Sequence, residues 1–390
     1  MPTELNRRQL LCGTGAAAAT ALLGEGNAAW AAPTANVHDI QVISQDPHYH
    51  GWPTVARRRN GELLVSYSGG REQHVCPFGK VELIRSTDDG KTWSWPRVLV
   101  DLGIDNRDSG ILETAKGTLL VTTFTSMAYE PMLRKAEKLK PGQPGVWPAK
   151  RLADWQAAER RLSPAERRAN LGVWMVRSVD GGRSWSAPYD SLLNSPHGPV
   201  QLTDGRLLYA GIDLWRTPRR VGVCQSTDDG QTWQHLAEIP VRPGDNSGVY
   251  DELHAVEAGD GRLIVQIRNH NRANSGETLQ CESSDGGRTW SVPHAIGVWG
   301  LPSHLLRLAD GRLLMTYGYR RKPFGNQARV SEDYGRTWSA AMLISDDGAS
   351  GDLGYPSTVQ LADHSLLTVW YESMPRTAGA VLRQARWALA

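Results

Sequence analysis

Ser86-Thr87-Asp88-Asp89-Gly90-Lys91-Thr92-Trp93 is the stretch that decides the fold, because it is not alone. The pattern Ser-x-Asp-x-Gly-x-Thr/Ser-Trp returns at 178–185, 226–233, 283–290 and 331–338. Physically it reads as a hairpin turn folded on itself. The aspartate accepts turn N–H groups, glycine takes a positive φ, and tryptophan packs back against the serine side. A pattern repeated five times is scaffold, so these aspartates are not catalytic candidates. The repeats also explain part of the imbalance between 15 Trp and 3 Phe.

A second repeat is interleaved with the first. An apolar run, a turn and a second apolar run recur around Gly61, Gly117, Gly205, Gly261 and Gly311, and once more with His364 in place of glycine. Six hairpins, five of them followed by the octet, make six four-stranded units of roughly 50 residues. That is an all-β chain, a six-bladed β-propeller. Residues 380–389 supply only one further strand to the sixth unit, so 37–44 are expected to complete that blade and close the ring, removing exposed edges. The second unit is long. Its surplus, about 127–171, is rich in Lys, Arg, Glu and Ala, and 151–170 has a helical pattern with a fresh start at Ser163-Pro164-Ala165-Glu166. It is expected to be a partly helical insertion in blade 2, a lid or an oligomer contact, with its charges on a solvated face.

Net charge is +2, from 43 Lys and Arg against 41 Asp and Glu, so nothing marks a nucleic-acid binder. Residues 1–32 read differently. Arg7-Arg8, a weakly apolar stretch from Gly13 to Leu23, and Ala29-Trp30-Ala31 form an export signal of the twin-arginine type. The apolar run is too short to span a bilayer. The expected mature protein, 33–390, is periplasmic or secreted, with no membrane attachment. Its cysteines, Cys76, Cys224 and Cys281, form no disulfide framework, and their spacing gives no zinc motif. Cys224 and Cys281 precede two octets and read as equivalent buried positions, whereas Cys76 falls in a loop.

Residues 249–271, VYDELHAVEAGDGRLIVQIRNHN, form a hairpin with a carboxylate at its entry and a guanidinium at its exit. In a propeller the innermost strands begin around a central channel, so their entries converge. Those entries hold His50, Arg107, Asp108, His197, Asp251, Glu252, His254, His304 and Tyr355. The exits of the second strands add Arg71, His74, Arg268, Arg320 and Arg321. So many ionisable groups around one channel read as a polar pocket for an anionic ligand.

From about Val37 onward the chain resembles the sialidase-type, BNR-repeat propellers, and the octets are similar to their Asp-boxes. Asp251-Glu252-Leu253-His254 resembles the segment whose glutamate activates the nucleophile, and Gly354-Tyr355-Pro356-Ser357 the one bearing the nucleophilic tyrosine. Arg268 falls on the second arginine of the family's carboxylate-binding triad, Arg320 or Arg321 near the third, and Tyr371-Glu372 on the terminal Tyr-Glu. The resemblance implies a retaining exo-glycosidase, without cofactor or metal, acting on a glycan or small substrate with a terminal acidic sugar. A sugar with a carboxylate on its anomeric carbon repels an anionic nucleophile, and a neutral tyrosine with a glutamate as its base avoids that. Tyr355 and Glu252 take these roles. The pattern departs in two places. Gly51, in His50-Gly51-Trp52-Pro53, stands where the first triad arginine belongs, and Arg71 or Arg107 would have to offset it. After Arg71 comes Glu72-Gln73-His74, without the family's acid, leaving His74, Glu72 or Asp108 for that role. Two other readings remain open: a carbohydrate-binding propeller without catalysis, and a hydrolase or lyase on another uronic or neutral sugar, with channel histidines as acid and base.

Overall fold

The computed structural model describes residues 33–44, 47–375, 377 and 379–390, and the expected export signal at 1–32 lies outside the described residues. Residues Pro33–Ala390 form one compact unit. It is built of six antiparallel sheets, one after another along the chain. Blade 4 is typical, with Tyr250–Glu257 innermost, then Leu263–Asn269, Glu277–Ser283 and His294–Trp299. The sixth blade closes as expected. Ala35–Val42 is its outermost strand, antiparallel to Ala380–Leu389, with Val37 opposite Trp387. The first and last segments of the propeller thus share one sheet.

The six hairpin turns each place one residue in the left-handed region. Gly61, Gly117, Gly205, Gly261 and Gly311 lie at φ between 81° and 90°, and His364 takes the same place at φ 64°. The octets form the hydrogen-bonded turn read from the sequence. Ser86 Oγ donates to Asp88 (2.7 Å) and accepts from the Gly90 N–H (2.9 Å), while Asp88 accepts from Thr92 N–H and Oγ1. The Thr92 hydroxyl and N–H hold the Asp88 carboxyl down at about 2, so it stays ionised in its turn. The tryptophan differs from expectation. Trp93 Nε1 donates to Gln384 of blade 6, and Trp338 Nε1 to Gln280 of blade 4. These two side chains tie blades 1 and 5 to the preceding blade, whereas Trp290 Nε1 bonds back into its own octet at the Gly287 carbonyl (3.0 Å).

The insertion in blade 2 carries three helices, α1 (Glu130–Lys138), α2 (Ala149–Glu159) and α3 (Pro164–Ala169). Ser163 and Glu166 form a reciprocal capping box at α3; α1 lies ahead of the segment with a helical pattern. The helices bury Tyr129, Leu133 and Trp155 against Cys76 and Ile104, so the cysteine read as a loop residue is fully buried beneath the insertion. The charges are not merely a solvated face. Arg167 bonds Glu130 (2.8 Å) and reaches Glu159, both Arg167 and Glu159 being buried. Among the described residues, no helix is long and apolar enough to cross a membrane.

Candidate functional site

The site begins as a defect in four inner strands. In blades 1, 4 and 6 the register with the second strand slips, between Gly51 and Thr54, between Asp251 and His254, and between Gly354 and Ser357. In blade 2 the inner strand breaks outright between Asp105–Arg107 and Ile111–Glu113. Each defect holds one non-glycine residue at positive φ: Trp52 (55°), Asp108 (43°), Glu252 (47°) and Tyr355 (53°). Such conformations cost on the order of 1–3 kcal/mol each and persist where surrounding structure enforces them, often at functional sites.

Two of these side chains, Tyr355 and Glu252, meet over Arg268. Tyr355 Oη donates a hydrogen bond to Glu252 Oε1, and Arg268 Nη1 donates to Tyr355 Oη (3.0 Å) and to Glu252 Oε2. Glu252 and Arg268 face each other because Asp251 pairs with Arg268 across the hairpin, and Tyr355 arrives from blade 6. Burial alone pushes the Glu252 carboxyl up. Arg268, the hydrogen bonds from Tyr355 and Arg268, and Arg320 outweigh it, so the group lies below its ordinary value. Burial and then the Glu252 charge push the Tyr355 phenol well up. The resting pair is therefore a neutral phenol on an ionised carboxylate.

Asp108 lies within the field of both. Its carboxyl is raised to about 7, first by burial and then by Glu252, with Arg107, Arg268 and Arg71 opposing. Two carboxyls with pKa values pushed apart are the arrangement expected of an acid and a base.

The other candidates separate into distinct places. Arg71 is fully buried in a bidentate pair with Asp105 (2.6 and 3.0 Å) and also donates to Ser68 and to the Asn106 and His74 carbonyls. It is structural, and its expected role toward a substrate carboxylate is withdrawn. Arg107 lies over the Trp52 ring (4.4 Å), no closer than 4.0 Å to Asp105, with a buried unpartnered Nε. Arg320 stands 5.8 Å from the Tyr355 ring, whereas Arg321 stacks on Trp299 (3.7 Å); Arg320 is the arginine beside the tyrosine. Asp251, half-buried and raised to about 6 by burial and then Glu252, has Arg219 at 3.6 Å. Glu72 is taken by the insertion, bonded to Arg151 (2.5 Å) and Trp155 Nε1 (2.7 Å). Glu372 is fully buried on Arg383 and Trp370.

His197, His254 and His304 do not line an open pocket. They fill the axis with ring centroids 4.6–5.3 Å apart. His254 accepts the Leu305 N–H (2.9 Å) and His304 the Thr358 N–H (3.4 Å). Burial holds all three rings far below their ordinary value, hence neutral. A substrate-contact role for them is corrected to that of an axial plug. His50 is likewise buried, edge-on to Tyr67. His74 is half-exposed and bonds Tyr49 Oη (2.9 Å) and Asp352 (3.0 Å) through Nδ1, in edge contact with Trp52. Among the described residues, no cluster of three or more His, Cys, Asp or Glu is placed to hold a metal.

The sequence reading passed over Trp52. It is 1 % exposed, clamped between Arg71 (4.7 Å) and Arg107, and packs edge-on to Tyr355 and His74. Its signal was present: Trp52-Pro53 stands in its hairpin where Tyr355-Pro356 stands in blade 6. Asp352, at the strand entry that also holds Tyr355, accepts from Tyr49, Tyr371 and His74.

A six-bladed propeller whose inner-strand bulges bring Tyr, Glu and Arg together defines the sialidase fold class. The BNR repeat-like domain model matches residues 151–368, and the chain belongs to this family within the sialidase superfamily. It is 23% identical over 356 residues to a sialidase of Bacteroides fragilis (strain YCH46), covering 82% of this chain and 59% of that one. A sialidase of Micromonospora viridifaciens is 30% identical over 203 residues, 44% of this chain and 31% of that protein. The chain thus spans 59% and 31% of the length of these relatives. A solved structure from Dyadobacter fermentans, titled as a protein of unknown function, superposes with a TM-score of 0.73 at 23% identity, covering 91% of this chain and 99% of that one.

Proposed function

We propose that this protein is a retaining exo-glycosidase that releases a terminal acidic sugar. The contact that carries the reading is the Tyr355 phenol hydrogen-bonded to ionised Glu252, with Arg268 bridging both. In the first half-reaction Tyr355 Oη attacks the anomeric carbon, and its proton passes to Glu252. The glycosidic bond breaks, and the leaving oxygen takes the Asp108 proton. In the second, Asp108 removes a proton from water, which attacks the same carbon. The sugar–tyrosine bond breaks, and Glu252 returns the proton to Tyr355. Arg268 and Arg320 supply positive charge for the substrate carboxylate, and Arg107, lightly engaged over Trp52, is the third guanidinium in reach of the same region. Asp108 suits the acid role better than His74, because it is held protonated near neutrality beside the reacting pair.

One observation favours a second reading. Gly51 stands where the first clamp arginine belongs and Arg71 is spent on Asp105, so the third guanidinium of a clamp for an anomeric carboxylate would be Arg107, which rests on Trp52. On a uronide, whose carboxylate sits on C5, Glu252 would take the Tyr355 proton, the phenolate so formed would remove the C5 proton, the C4–O bond would break with Asp108 protonating the leaving oxygen, and a C4–C5 double bond would form. Aryl sialosides and 4-O-linked uronides, tested with the wild type and Tyr355→Phe, separate the two. Release of a saturated acidic sugar, abolished in Tyr355→Phe, supports the glycosidase. An unsaturated product supports elimination, and turnover unchanged in Tyr355→Phe sinks both. Export through the Arg7-Arg8 leader is proposed as well; an Arg7→Lys/Arg8→Lys variant that still reaches the periplasm would refute it.

A further inference from the structure

The blade-2 insertion concentrates positive charge. Residues 127–171 hold ten Lys and Arg against five Asp and Glu, while the rest of the chain holds 33 against 36. All five acids are spent inside the insertion. Glu130 and Glu159 pair with Arg167, Glu137 with Arg134 (2.7 Å) and Asp154 with Lys150 (2.6 Å), and Glu166 caps α3. Two further arginines pair outside it, Arg151 with Glu72 and Arg161 with Asp101. Lys135, Lys138, Lys140, Arg160 and Arg168 remain, all exposed and without an ion pair among the described residues.

An ordinary solvated face mixes both signs, and this one does not. Lys135 and Lys138 are three apart and share one side of α1 with Met132, and Lys140 follows just past the C-cap residue Leu139. The other side of α1 is turned to α2, where Arg134 bonds Glu159 and Glu137 accepts from Gln156 (2.9 Å). The helix dipole accounts for a cation at the end of α1. It does not account for three within six residues that repel one another.

This lysine ridge stands on the side of the reactive centre. Through α2 the insertion holds the 72–75 loop, Trp155 Nε1 donating to Glu72 (2.7 Å) and Arg151 to Gln73 (2.6 Å). His74 of that loop is in edge contact with Trp52 (5.0 Å), and Trp52 with Tyr355 (6.4 Å). The surroundings of the lysines select the partner. The large apolar side chains exposed here are Met132 (37 %) and Val146 (38 %), too little for a helix that lies in a lipid interface. Trp147 and Trp155 lie against Arg151 (4.3 and 5.4 Å) and Tyr129 is buried, so the insertion exposes no aromatic ring on which a nucleic-acid base could stack. Lysines are point charges on flexible stems, suited to a mobile row of anionic groups more than to one fixed carboxylate.

We propose that the Lys135–Lys138–Lys140 ridge is a docking surface for an anionic polysaccharide, whose carboxylates repeat along the chain, and that it holds such a chain while its end enters the reactive centre. This substrate class rests on the glycosidase reading above for its meaning in turnover, but binding can be tested apart from it. Fluorescence titration uses polysialic acid and polygalacturonate as probes, dextran as the neutral polymer and phosphatidylserine vesicles as the anionic lipid. The wild type is expected to bind both anionic polymers and not dextran. Lys135→Gln/Lys138→Gln/Lys140→Gln is expected to bind them about tenfold more weakly and with a shallower salt dependence. The charge-keeping Lys135→Arg/Lys138→Arg/Lys140→Arg should bind as wild type does, and so should Lys91→Gln/Lys116→Gln, which removes exposed lysines from an octet and a hairpin turn. Matched thermal unfolding curves guard against a folding artefact. In turnover the glutamine triple variant should raise KM for an anionic polymer roughly fivefold, leaving kcat and an aryl glycoside's KM unchanged. Polymer binding weakened only in that variant, with no glycoside turned over by wild type, refutes the glycosidase reading and upholds the surface. Absence of polymer binding, equal weakening in Lys91→Gln/Lys116→Gln, tighter binding of vesicles than of polymers, or an unchanged KM for a polymer that is turned over overturns the surface.

Discussion

Trp52, Asp108, Glu252 and Tyr355 lie two residues before Thr54, Gly110, His254 and Ser357 in the same four blades, yet the two layers behave as opposites. In the first, every residue is at positive φ, the ladder is broken, and charges are close enough to move one another's pKa. In the second, the polar groups are spent on the protein itself. Thr54 Oγ1 donates to the Pro196 carbonyl (3.0 Å), Ser357 Oγ accepts the Val55 N–H (3.2 Å), and His254 and His304 accept backbone N–H groups. Gly110 is required there, because a Cβ would stand 2.3 Å from the Gly198 nitrogen. The sealing layer fixes the strands at the axis so that the layer above can stay strained. Ionisable residues near a channel are thus not equivalent; what decides their role is whether their hydrogen-bonding capacity is already used.

The sharpest way to break this contrast is at the reacting pair. Tyr355→Phe removes one oxygen from the upper layer and is expected to lower kcat about 10⁴-fold or more, with the melting temperature held within a few degrees. Rate assays beside thermal unfolding test it; a loss of fold together with activity would mean the upper layer is also structural. Asp108→Asn comes next, at about 10²–10⁴-fold in kcat/KM. Because the Asp108 carboxyl is raised to about 7, the wild type should lose kcat/KM as pH climbs through 7, and the variant should lack that limb. The sign for stability is the same. A folded pKa above the unfolded value near 4 means the native state holds the extra proton between about pH 4 and 7, so stability declines as pH rises through that window. Asp108→Asn should flatten the slope.

The sealing layer has the opposite sign. Burial lowers His197, His254 and His304 in the folded state, so their contribution is complete above the unfolded pKa near 6.5 and is lost as pH falls below it. Each neutral buried ring contributes a slope of up to about 1.4 kcal/mol per pH unit there. Denaturant titrations at pH 6.5 and 5 should show a drop of several kcal/mol, reduced by roughly a third in His304→Gln. A drop unchanged in His304→Gln would place the acid sensitivity elsewhere.

The propeller was legible because its signals are local and repeated: the octet at Ser86 and four siblings, and the left-handed turn that only His364 fills without glycine. Tyr355, Glu252 and Arg268 were legible through short motifs. What sequence order cannot carry is which of several like residues is already engaged. Arg71 and Arg107 look alike in the chain, and only the bidentate Asp105 pair distinguishes them. The three axial histidines stood at strand entries like Glu252, but the bulge that lifts Glu252 into the site is a backbone feature with no residue signature of its own. Trp52-Pro53 was the nearest thing to one, because it matches Tyr355-Pro356 in position.

The smallest effects test the contrast on one strand. Trp52 and Thr54 are neighbours but one, and both are buried. Trp52→Phe keeps a ring yet weakens the face on which Arg107 rests, since indole is the stronger cation–π partner by roughly 0.5–1 kcal/mol. The expected result is a two- to fivefold rise in KM, with kcat and melting temperature little changed. Thr54→Val removes one hydroxyl and its bond to the Pro196 carbonyl, for about 1 kcal/mol of stability with KM unmoved. Steady-state kinetics and chemical unfolding of both variants give a two-by-two comparison. Should Thr54→Val alter KM as much as Trp52→Phe does, the axial layer would be transmitting strain to the site, and its separation from the chemistry would fail.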